Sequence, residues 1–406
     1  MTIDALNICS ETGKLKTVML HRPSLELERI TPQDLEHVLF EDIPWLRNMQ
    51  MEHDGFADAL RTNQCEILYV EDLLQMTFEN ETTTKSLMVS NILDYELKYD
   101  EDTKMLIRQF LMNLSNKQLI QYLIGGLSRD DIQIHDRSLI RYMPEDYKFY
   151  FSPLPNLYFM RDPAIVIGKG IALSAMYSEI RRRESAIMSL IYRYHPRFKD
   201  APILYDGECR RMSLEGGDVL VLSPTTVCVG CSQRTSAYAI EMLAKELLFG
   251  NYGFESVIAV HIPHVRSFMH LDTVLTMVDK DKFLVYPGII DQMKAVTMTE
   301  KSSGKIAFTE DESLEASLKR ALGLNKILFI KSGGDNPITA AREQWNDSSN
   351  TLAIAPGTVI AYDRNEVSNA ILRKNGIKVI EIQGSELVRG RGGPRCMSMP
   401  IYRENI

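Results

Sequence analysis

Four stretches share the pattern that decides the fold: Arg161–Met176 (RDPAIVIGKGIALSAM), Gly216–Ser232 (GGDVLVLSPTTVCVGCS), His270–Gly288 (HLDTVLTMVDKDKFLVYPG) and Asn350–Asn365 (NTLAIAPGTVIAYDRN). Each opens at or near an Asp or Asn and continues as an apolar, β-rich run, a short turn and a second such run. That is the signature of a β-hairpin. Three of the four lead into a helix-like pattern, often followed by another β-rich run. The repeating unit is therefore predicted to be strand, strand, helix, strand.

The unit recurs with a nearly constant period, because 56 residues separate Asp162 from Asp218 and 54 separate Asp218 from Asp272. Repeats of this length indicate modules arranged around an axis or in a line. The stretch Lys14–Ser24 (KLKTVMLHRPS) predicts the opening of a fifth copy. In a ring, equivalent positions converge on the centre, so we expect the three aspartates to lie near one another. The alternative is that they only border strands as turn formers.

One segment breaks the repeat. Residues 72–146 contain two glycines and one proline, and their apolar residues stand three and four apart. This spacing predicts amphipathic helices. We therefore expect an α/β protein in which an α-helical domain, residues 72–146, is inserted into a catalytic domain formed by residues 1–71 and 147–406.

Composition excludes several classes of protein. The chain has 406 residues and a formal net charge of −8, which argues against a nucleic-acid or anionic-membrane binder because both need a cationic surface. No apolar run reaches the roughly 18–20 residues of a membrane span, and the first residues do not resemble a signal peptide. We expect a cytoplasmic protein without membrane or nucleic-acid partners. A CxxC pair (Cys228, Cys231) and an HxxH pair (His261, His264) leave a structural zinc site as an alternative.

The densest chemical signal is the segment Arg389–Pro400 (RGRGGPRCMSMP), whose three glycines and two prolines exclude a regular helix or strand. Three arginines lie within seven residues of Cys396, and nearby cations lower the pKa of a thiol. Cys396 is therefore a candidate nucleophile. The alternative is a flexible basic tail with an incidental cysteine.

Three further motifs add acid, base and binding groups. His270 and Asp272 stand two apart, so in an extended segment they would share a face, and histidine titrates near neutral pH. Glu215–Asp218 (EGGD) places two carboxylates around glycines that allow close approach. Asn156–Pro163 (NLYFMRDP) supplies an amide, an aromatic ring, a cation and an anion.

This combination suits a planar cation, because a carboxylate accepts two parallel N–H bonds from a guanidinium. A cysteine facing the guanidinium carbon, with a histidine to move protons, can displace ammonia. A second group of arginines would hold a substrate carboxylate; the candidates are Arg181, Arg182, Arg183 and Arg234. A guanidinium at one end and a carboxylate at the other describe arginine.

At these residues the sequence resembles the arginine deiminase family, among the guanidine-modifying enzymes. The matching motifs are LHRP (Leu20–Pro23), FMRDP (Phe159–Pro163), EGGD (Glu215–Asp218), MHLDT (Met269–Thr273), AIAPG (Ala353–Gly357) and GGPRCMSMP (Gly392–Pro400). The resemblance implies a five-module, pseudo-symmetric propeller of ββαβ units with a helical insertion. It also implies hydrolysis of free L-arginine to citrulline and ammonia, the first step of arginine catabolism, no metal or organic cofactor, and a homodimer or higher oligomer.

The same resemblance assigns a role to each site residue. Cys396 is the nucleophile that forms an S-amidino intermediate, and His270 protonates the leaving ammonia and then activates water. Asp162 and Asp272 clamp the guanidinium, and Glu215 binds it and holds His270. The remaining residues bind or cover the substrate: Asn156, Arg181 and Arg234 bind the α-carboxylate, Phe159 packs on the stem, Arg391 belongs to a gating loop and Asp218 orients the backbone. The bound cation would favour the Cys396 thiolate.

Two alternatives remain at this point. An amidinotransferase would use the same cysteine, histidine and carboxylates but would pass the amidino group to an amine instead of water. A non-catalytic arginine-binding relative would keep the fold and bind arginine without releasing ammonia.

Overall fold

The computed structural model describes residues 5–97, 99–132, 134, 148–210, 212–301 and 304–406. The strands are β1 (Leu15–Leu20), β2 (Glu66–Tyr69), β3 (Leu127–Ser128), β4 (Phe149–Phe151), β5 (Ala164–Ile167), β6 (Gly170–Leu173), β7 (Ile203–Asp206), β8 (Val219–Ser223), β9 (Thr226–Cys231), β10 (Ser256–His261), β11 (Leu275–Asp279), β12 (Lys282–Val285), β13 (Ala295–Lys301), β14 (Lys305–Glu310), β15 (Leu328–Lys331), β16 (Leu352–Ala355), β17 (Thr358–Tyr362), β18 (Lys378–Ile382) and β19 (Met399–Arg403). The α-helices are α1 (Leu25–Glu28), α2 (Leu46–Thr62), α3 (Val70–Asn80), α4 (Thr83–Tyr95), α5 (Glu101–Asn113), α6 (Asn116–Gly125), α7 (Arg182–Tyr194), α8 (Gly207–Arg210), α9 (Ala237–Phe249), α10 (Leu314–Leu322), α11 (Pro337–Trp345) and α12 (Glu366–Lys374).

Five sheets of the described chain repeat one strand arrangement, and they place this protein in the α/β class. In each, an antiparallel pair is extended by a parallel third strand: β5-β6-β7, β8-β9-β10, β11-β12-β15, β16-β17-β18 and β19-β1-β2. A helix lies in the chain between the second and third strand of each sheet. A parallel pair requires such a crossover connection, so the predicted unit of strand, strand, helix and strand is present.

Two details of the repeat differ from the sequence prediction. The stretch Lys14–Ser24 does not open the fifth unit: its strand β1 is the second strand, and the first is β19 from the other end of the chain. In the third unit, the hairpin β13-β14 precedes the helix α10 and joins the neighbouring sheet next to β10. Local periodicity carries no information about which sheet a hairpin joins, and this explains both differences.

Burial explains the composition of the inner strands. Every residue of β5 and β6 is buried, which accounts for apolar runs without polar alternation. The turn between them uses Gly168 at φ +59°, a left-handed conformation that favours glycine in tight hairpins. Residues Ile165 and Val219 belong to one hydrophobic cluster that also contains Leu74 and Ile187 from helices.

Helices α3 to α6 confirm the helical periodicity read from the sequence, and Ser115 caps α6 in a reciprocal capping box with Gln118. Part of the predicted segment, residues 135–146, lies outside the described residues. The buried side chains of these helices belong to the same hydrophobic cluster as β5 and β8. The division into two domains at residues 72 and 146 stays a prediction. Among the described helices, none has both the length and the apolar character to cross a membrane.

Candidate active site

Most of the predicted site residues line one cavity. Its wall is formed by Leu39, Asn156, Phe159, Asp162, Arg181, Arg234, Met269, His270, Thr273, Gly390, Arg391 and Cys396. Glu215 and Asp272 complete the group from behind this wall, because Glu215 bonds to His270 and Asp272 lies beside Cys396. The structure therefore brings together all ten residues predicted from the sequence.

The repeat positions these groups. Asp162, Asp218, Asp272 and Cys396 each precede the first strand of a unit, namely β5, β8, β11 and β19. Asp218 accepts the backbone N–H of Leu271 at 2.9 Å, so two of these strand starts are directly joined. This contact supports an orienting role for Asp218.

The glycines of the EGGD motif make the approach possible. A Cβ at Gly217 would lie 2.6 Å from the His270 ring, and a Cβ at Gly216 would lie 1.9 Å from the Arg161 carbonyl oxygen. Both distances are far below van der Waals contact. These positions exclude any side chain because the backbone of the second unit packs directly against His270 at Gly217 and against Arg161 at Gly216.

His270 lies between two carboxylates. Its Nε2 is 2.8 Å from Glu215 Oε2, and its Nδ1 is 3.8 Å from Asp162 Oδ1. Burial disfavours the imidazolium, but Asp162 and the hydrogen bond with Glu215 outweigh it and raise the pKa of His270 to about 9. Burial also opposes ionisation of Glu215, yet Arg234 and His270 lower the pKa of that carboxyl to about 2. At neutral pH the pair is an imidazolium with a carboxylate.

The expectation that His270 and Asp272 share a strand face is wrong. Residues Leu271–Thr273 form a 3₁₀ turn, in which alternation by two does not apply. His270 faces Glu215, whereas Asp272 faces Cys396 and Arg395. Both side chains reach the site, but the turn separates their contacts.

Cys396 is held at the start of β19 by its backbone. Its N–H donates to Asn350 Oδ1 at 2.9 Å, and its Sγ is 3.8 Å from Asp272 Oδ2. Burial raises the pKa of the Cys396 thiol well above its ordinary value, and the carboxylates of Asp272 and Asp162 add to that rise. Without a bound cation, the thiol is therefore protonated.

The arginines near Cys396 in the sequence do not bring its pKa below the ordinary value, which corrects the prediction made from their proximity. Arg389 pairs with Asp42 and Glu386 near the surface, and Arg391 stacks over the Trp345 ring at 3.5 Å. Arg395 does lower the pKa of the thiol, but burial and the nearby carboxylates outweigh it. Sequence proximity is a poor guide here because consecutive residues of an irregular loop point in different directions.

Several buried polar atoms in the cavity wall or directly behind it have no hydrogen-bond partner among the described residues. In the part of the chain that the structure describes, Asp162 Oδ1 and Asp272 Oδ1 are buried without a hydrogen-bond partner. The same holds for Arg234 Nε and Nη1 and for all three guanidinium nitrogens of Arg391. Buried polar atoms normally have partners. The arrangement therefore calls for a ligand with N–H donors beside Cys396 and a carboxylate at the arginine end.

Two predicted binding residues already have protein partners. Arg181 Nη1 donates to Asp162 Oδ2 at 2.8 Å, and its other nitrogens contact Glu184. Asn156 Nδ2 donates to the Val38 carbonyl at 2.7 Å. Both line the cavity, and their contact with a substrate carboxylate stays a prediction.

One group of ligand-type side chains within the described ranges has metal-compatible spacing. It consists of Asp162, Glu215 and His270, whose ligand atoms all lie within 4.8 Å of one another. The CxxC and HxxH pairs discussed above are not in such a group. The zinc alternative is therefore not supported by the geometry of the described residues.

Three residues that support the site were not among the site residues predicted from the sequence. Asn350 bonds to Cys396 and donates to the Asp272 carbonyl at 3.2 Å; its place at the start of the fourth repeat was the available signal. Arg395 binds Asp272 at 2.7 Å and lies next to Cys396 in sequence. Glu11 binds Arg395. It carried no sequence signal because 384 positions separate it from Arg395 in the chain.

The fold is similar to that of guanidine-modifying enzymes. DDAH from Pseudomonas aeruginosa, solved in complex with citrulline, is 15% identical with a TM-score of 0.52, covering 95% of this chain and 99% of that one. SxtG, an amidinotransferase from Microseira wollei, is 15% identical with a TM-score of 0.53, covering 99% and 98%. At these identities the likeness concerns the fold alone.

Sequence relatives are much more similar. Arginine deiminase 1 of Staphylococcus epidermidis is 45% identical over 99% of both chains. Arginine deiminase of Listeria monocytogenes is 46% identical over 99% of this chain and 98% of its own. The family model described as arginine deiminase matches residues 36–403. With this match and the cysteine, histidine and carboxylates gathered in one cavity, the chain belongs to the arginine deiminase family.

Proposed function

We propose that this chain hydrolyses free L-arginine to L-citrulline and ammonia. The observation that carries the proposal is the pair of unpartnered carboxylate oxygens, on Asp162 and Asp272, beside the Cys396 thiol and opposite unpartnered arginine donors. A guanidinium offers the donors for the first set, and an α-carboxylate offers the acceptors for the second.

The substrate's two ends define its orientation. Its guanidinium nitrogens donate to Asp162 Oδ1 and Asp272 Oδ1, which places the guanidinium carbon next to Cys396 Sγ. Its carboxylate binds Arg234, whose Nε and Nη1 lack a hydrogen-bond partner among the described residues, and Arg391, whose three guanidinium nitrogens lack one. Asn156 and Arg181 line the same cavity and contribute there, and Phe159 packs on the substrate stem.

Substrate binding activates the nucleophile. The carboxylates that keep the Cys396 thiol protonated become neutralised by the guanidinium cation, so the pKa of the thiol falls when the substrate is bound. The thiolate then attacks the guanidinium carbon and a C–S bond forms. The C–N bond to one terminal nitrogen breaks, and that nitrogen leaves as ammonia.

His270 supplies and takes the protons. As an imidazolium held by Glu215, it donates a proton to the leaving nitrogen, which produces a neutral imidazole. The imidazole then accepts a proton from water, whose oxygen attacks the amidino carbon of the S-amidino intermediate. The C–S bond breaks and citrulline leaves. The remaining hydroxyl proton of the former water passes to the sulfur and replaces the proton that the Cys396 thiol gave to solvent when the substrate bound. The full cycle consumes one water and leaves His270 protonated again.

The test is product formation from free L-arginine. Citrulline and ammonia in equal amounts are expected, and Cys396→Ala should abolish both. An amidinotransferase would instead give ornithine that appears only with an added amine such as glycine. A non-catalytic relative would bind arginine without releasing ammonia. Either result would overturn the proposal.

The architecture and the cellular setting belong to the same proposal. We propose that the five units surround the site as a propeller, because their first strands begin at residues that meet there. We propose from the family resemblance that the chain acts as a homodimer or higher oligomer in the cytoplasm.

A further inference from the structure

Each of the two proposed guanidinium clamps already holds a protein guanidinium with one oxygen. Asp272 Oδ2 accepts from Arg395 Nη1 at 2.7 Å, and Asp162 Oδ2 accepts from Arg181 Nη1 at 2.8 Å. In both aspartates the other oxygen, Oδ1, lacks a hydrogen-bond partner among the described residues. Each carboxylate is thus held through one oxygen and open at the other.

The arginine on Asp272 is itself fixed from behind. Arg395 Nε and Nη2 bind Glu11 Oε2 at 3.2 and 3.1 Å, and Nη2 also donates to the Val219 carbonyl at 2.8 Å. Glu11 is anchored in turn, since its Oε1 accepts the Val221 N–H at 3.1 Å. Arg395 is only 1% exposed. Its planar guanidinium is therefore held in one orientation. Because Glu11 binds Nε and Nη2, Nη1 is the nitrogen that faces Asp272.

We propose that Glu11 and Arg395 are positioning residues that hold Asp272 through its Oδ2 and turn its Oδ1 toward the substrate guanidinium. The inference rests on the proposed binding of that guanidinium by Asp162 and Asp272. Arg395 binds Asp272, and Glu11 binds Arg395, so both act through Asp272.

The charge arrangement gives the reason. Asp272 is 0% exposed and lies near Asp347. A buried carboxylate is costly unless a cation and hydrogen bonds compensate it. Arg395 supplies that cation at Oδ2, which leaves Oδ1 as the oxygen that can accept from a substrate guanidinium.

Glu11 has a second function as counter-ion. Arg161 and Arg403 are also buried near it, and together with Arg395 they lower the pKa of Glu11 despite its burial. Arg403 donates to the Gly13 carbonyl at 2.7 Å instead of to a site carboxylate. This makes Arg403 a matched control: it is an equally buried arginine near Glu11, outside the contact with Asp272.

The experiment measures binding of two ligands that differ in charge. In a Cys396→Ala background, calorimetry gives the Kd of L-arginine and of L-citrulline for the parent, Arg395→Lys and Arg403→Lys. A lysine keeps the charge but cannot bridge Glu11 and Asp272. We expect Arg395→Lys to weaken arginine binding by about tenfold or more, the effect of one charge-assisted hydrogen bond. Citrulline, which is neutral at its ureido end, should weaken far less.

A merely structural role would lower both affinities together, so the ratio of the two Kd values is the decisive quantity. An unchanged ratio in Arg395→Lys, or the same change in Arg403→Lys, would overturn the inference. Glu11→Asp keeps the charge but has a shorter side chain, and it is measured in parallel. If Arg395→Lys does not fold, the ratio of the two Kd values in Glu11→Asp decides the question. If Asp272→Asn leaves arginine binding unchanged, the proposed clamp itself fails.

Discussion

Replacing Asp272 by Asn should make Cys396 a more acidic thiol and the enzyme a poorer catalyst. The substitution preserves shape but removes the negative charge 3.8 Å from Sγ. That charge contributes to the raised pKa of the thiol. The same carboxylate is proposed to hold the substrate guanidinium, so reactivity and catalysis should change in opposite directions.

The magnitude follows from Coulomb's law. Two unit charges at 3.8 Å interact by about 4 kcal/mol at an effective dielectric of about 20, which corresponds to about three pKa units. Arg395 at 2.7 Å from the same oxygen offsets part of this in the parent protein. We therefore expect the thiol pKa to fall by about one to three units, and citrulline formation to fall roughly tenfold to a hundredfold.

The assay is the rate of iodoacetamide alkylation in a series of buffers, read on the Cys396 peptide by mass spectrometry because the chain has five other cysteines. At neutral pH the rate should rise by about tenfold or more, since the thiolate is the reacting species. Asp218→Asn is the matched control: it is an equally buried aspartate at the same place in the repeat, but it is not among the groups that act most strongly on the thiol pKa. An unchanged or slower rate in Asp272→Asn would refute the reasoning.

Three further predictions follow from the same geometry. Arg234→Gln should raise the KM for L-arginine about tenfold or more and narrow its preference over agmatine, which lacks the carboxylate, as measured by steady-state kinetics. Gly217→Ala should lower kcat/KM by about a hundredfold, because its Cβ would enter the catalytic histidine ring. The pKa of His21, although burial lowers it, is raised to about 10 mainly by Glu71. Its contribution to the unfolding free energy is full below about pH 6.5 and is lost as pH rises through about 10. The unfolding free energy of His21→Gln should therefore decrease less at alkaline pH than that of the parent protein.

Each of these predictions has its own control. An equal loss with arginine and agmatine in Arg234→Gln would contradict its role at the carboxylate. Gly55→Ala, at an exposed position of helix α2 where an added Cβ meets nothing within 4 Å, should keep full activity. For His21, denaturant unfolding at several pH values gives the comparison, and an identical pH slope in the variant would contradict the ion pair.

Much of the fold was readable because its determinants are local. Alternation and turn residues predicted the hairpins that begin at Asp162 and Asp218, and apolar spacing predicted helices α3 to α6. The identity of the joined strands was not readable. That β19 would complete the sheet of β1, or that β13 would extend the sheet of β10, depends on contacts between distant parts of the chain.

From the sequence alone, the motifs around Cys396, His270 and the repeated aspartates predicted a guanidinium site, and the structure brings these residues close to one another. The tertiary structure alone decided their electrostatics. It paired Arg389 and Arg395 with carboxylates, stacked Arg391 on Trp345, and placed Asp272, 124 residues before Cys396, beside the thiol. It also joined Glu11 to Arg395. A pKa depends on burial and on charges within a few ångströms, and only folding sets those distances.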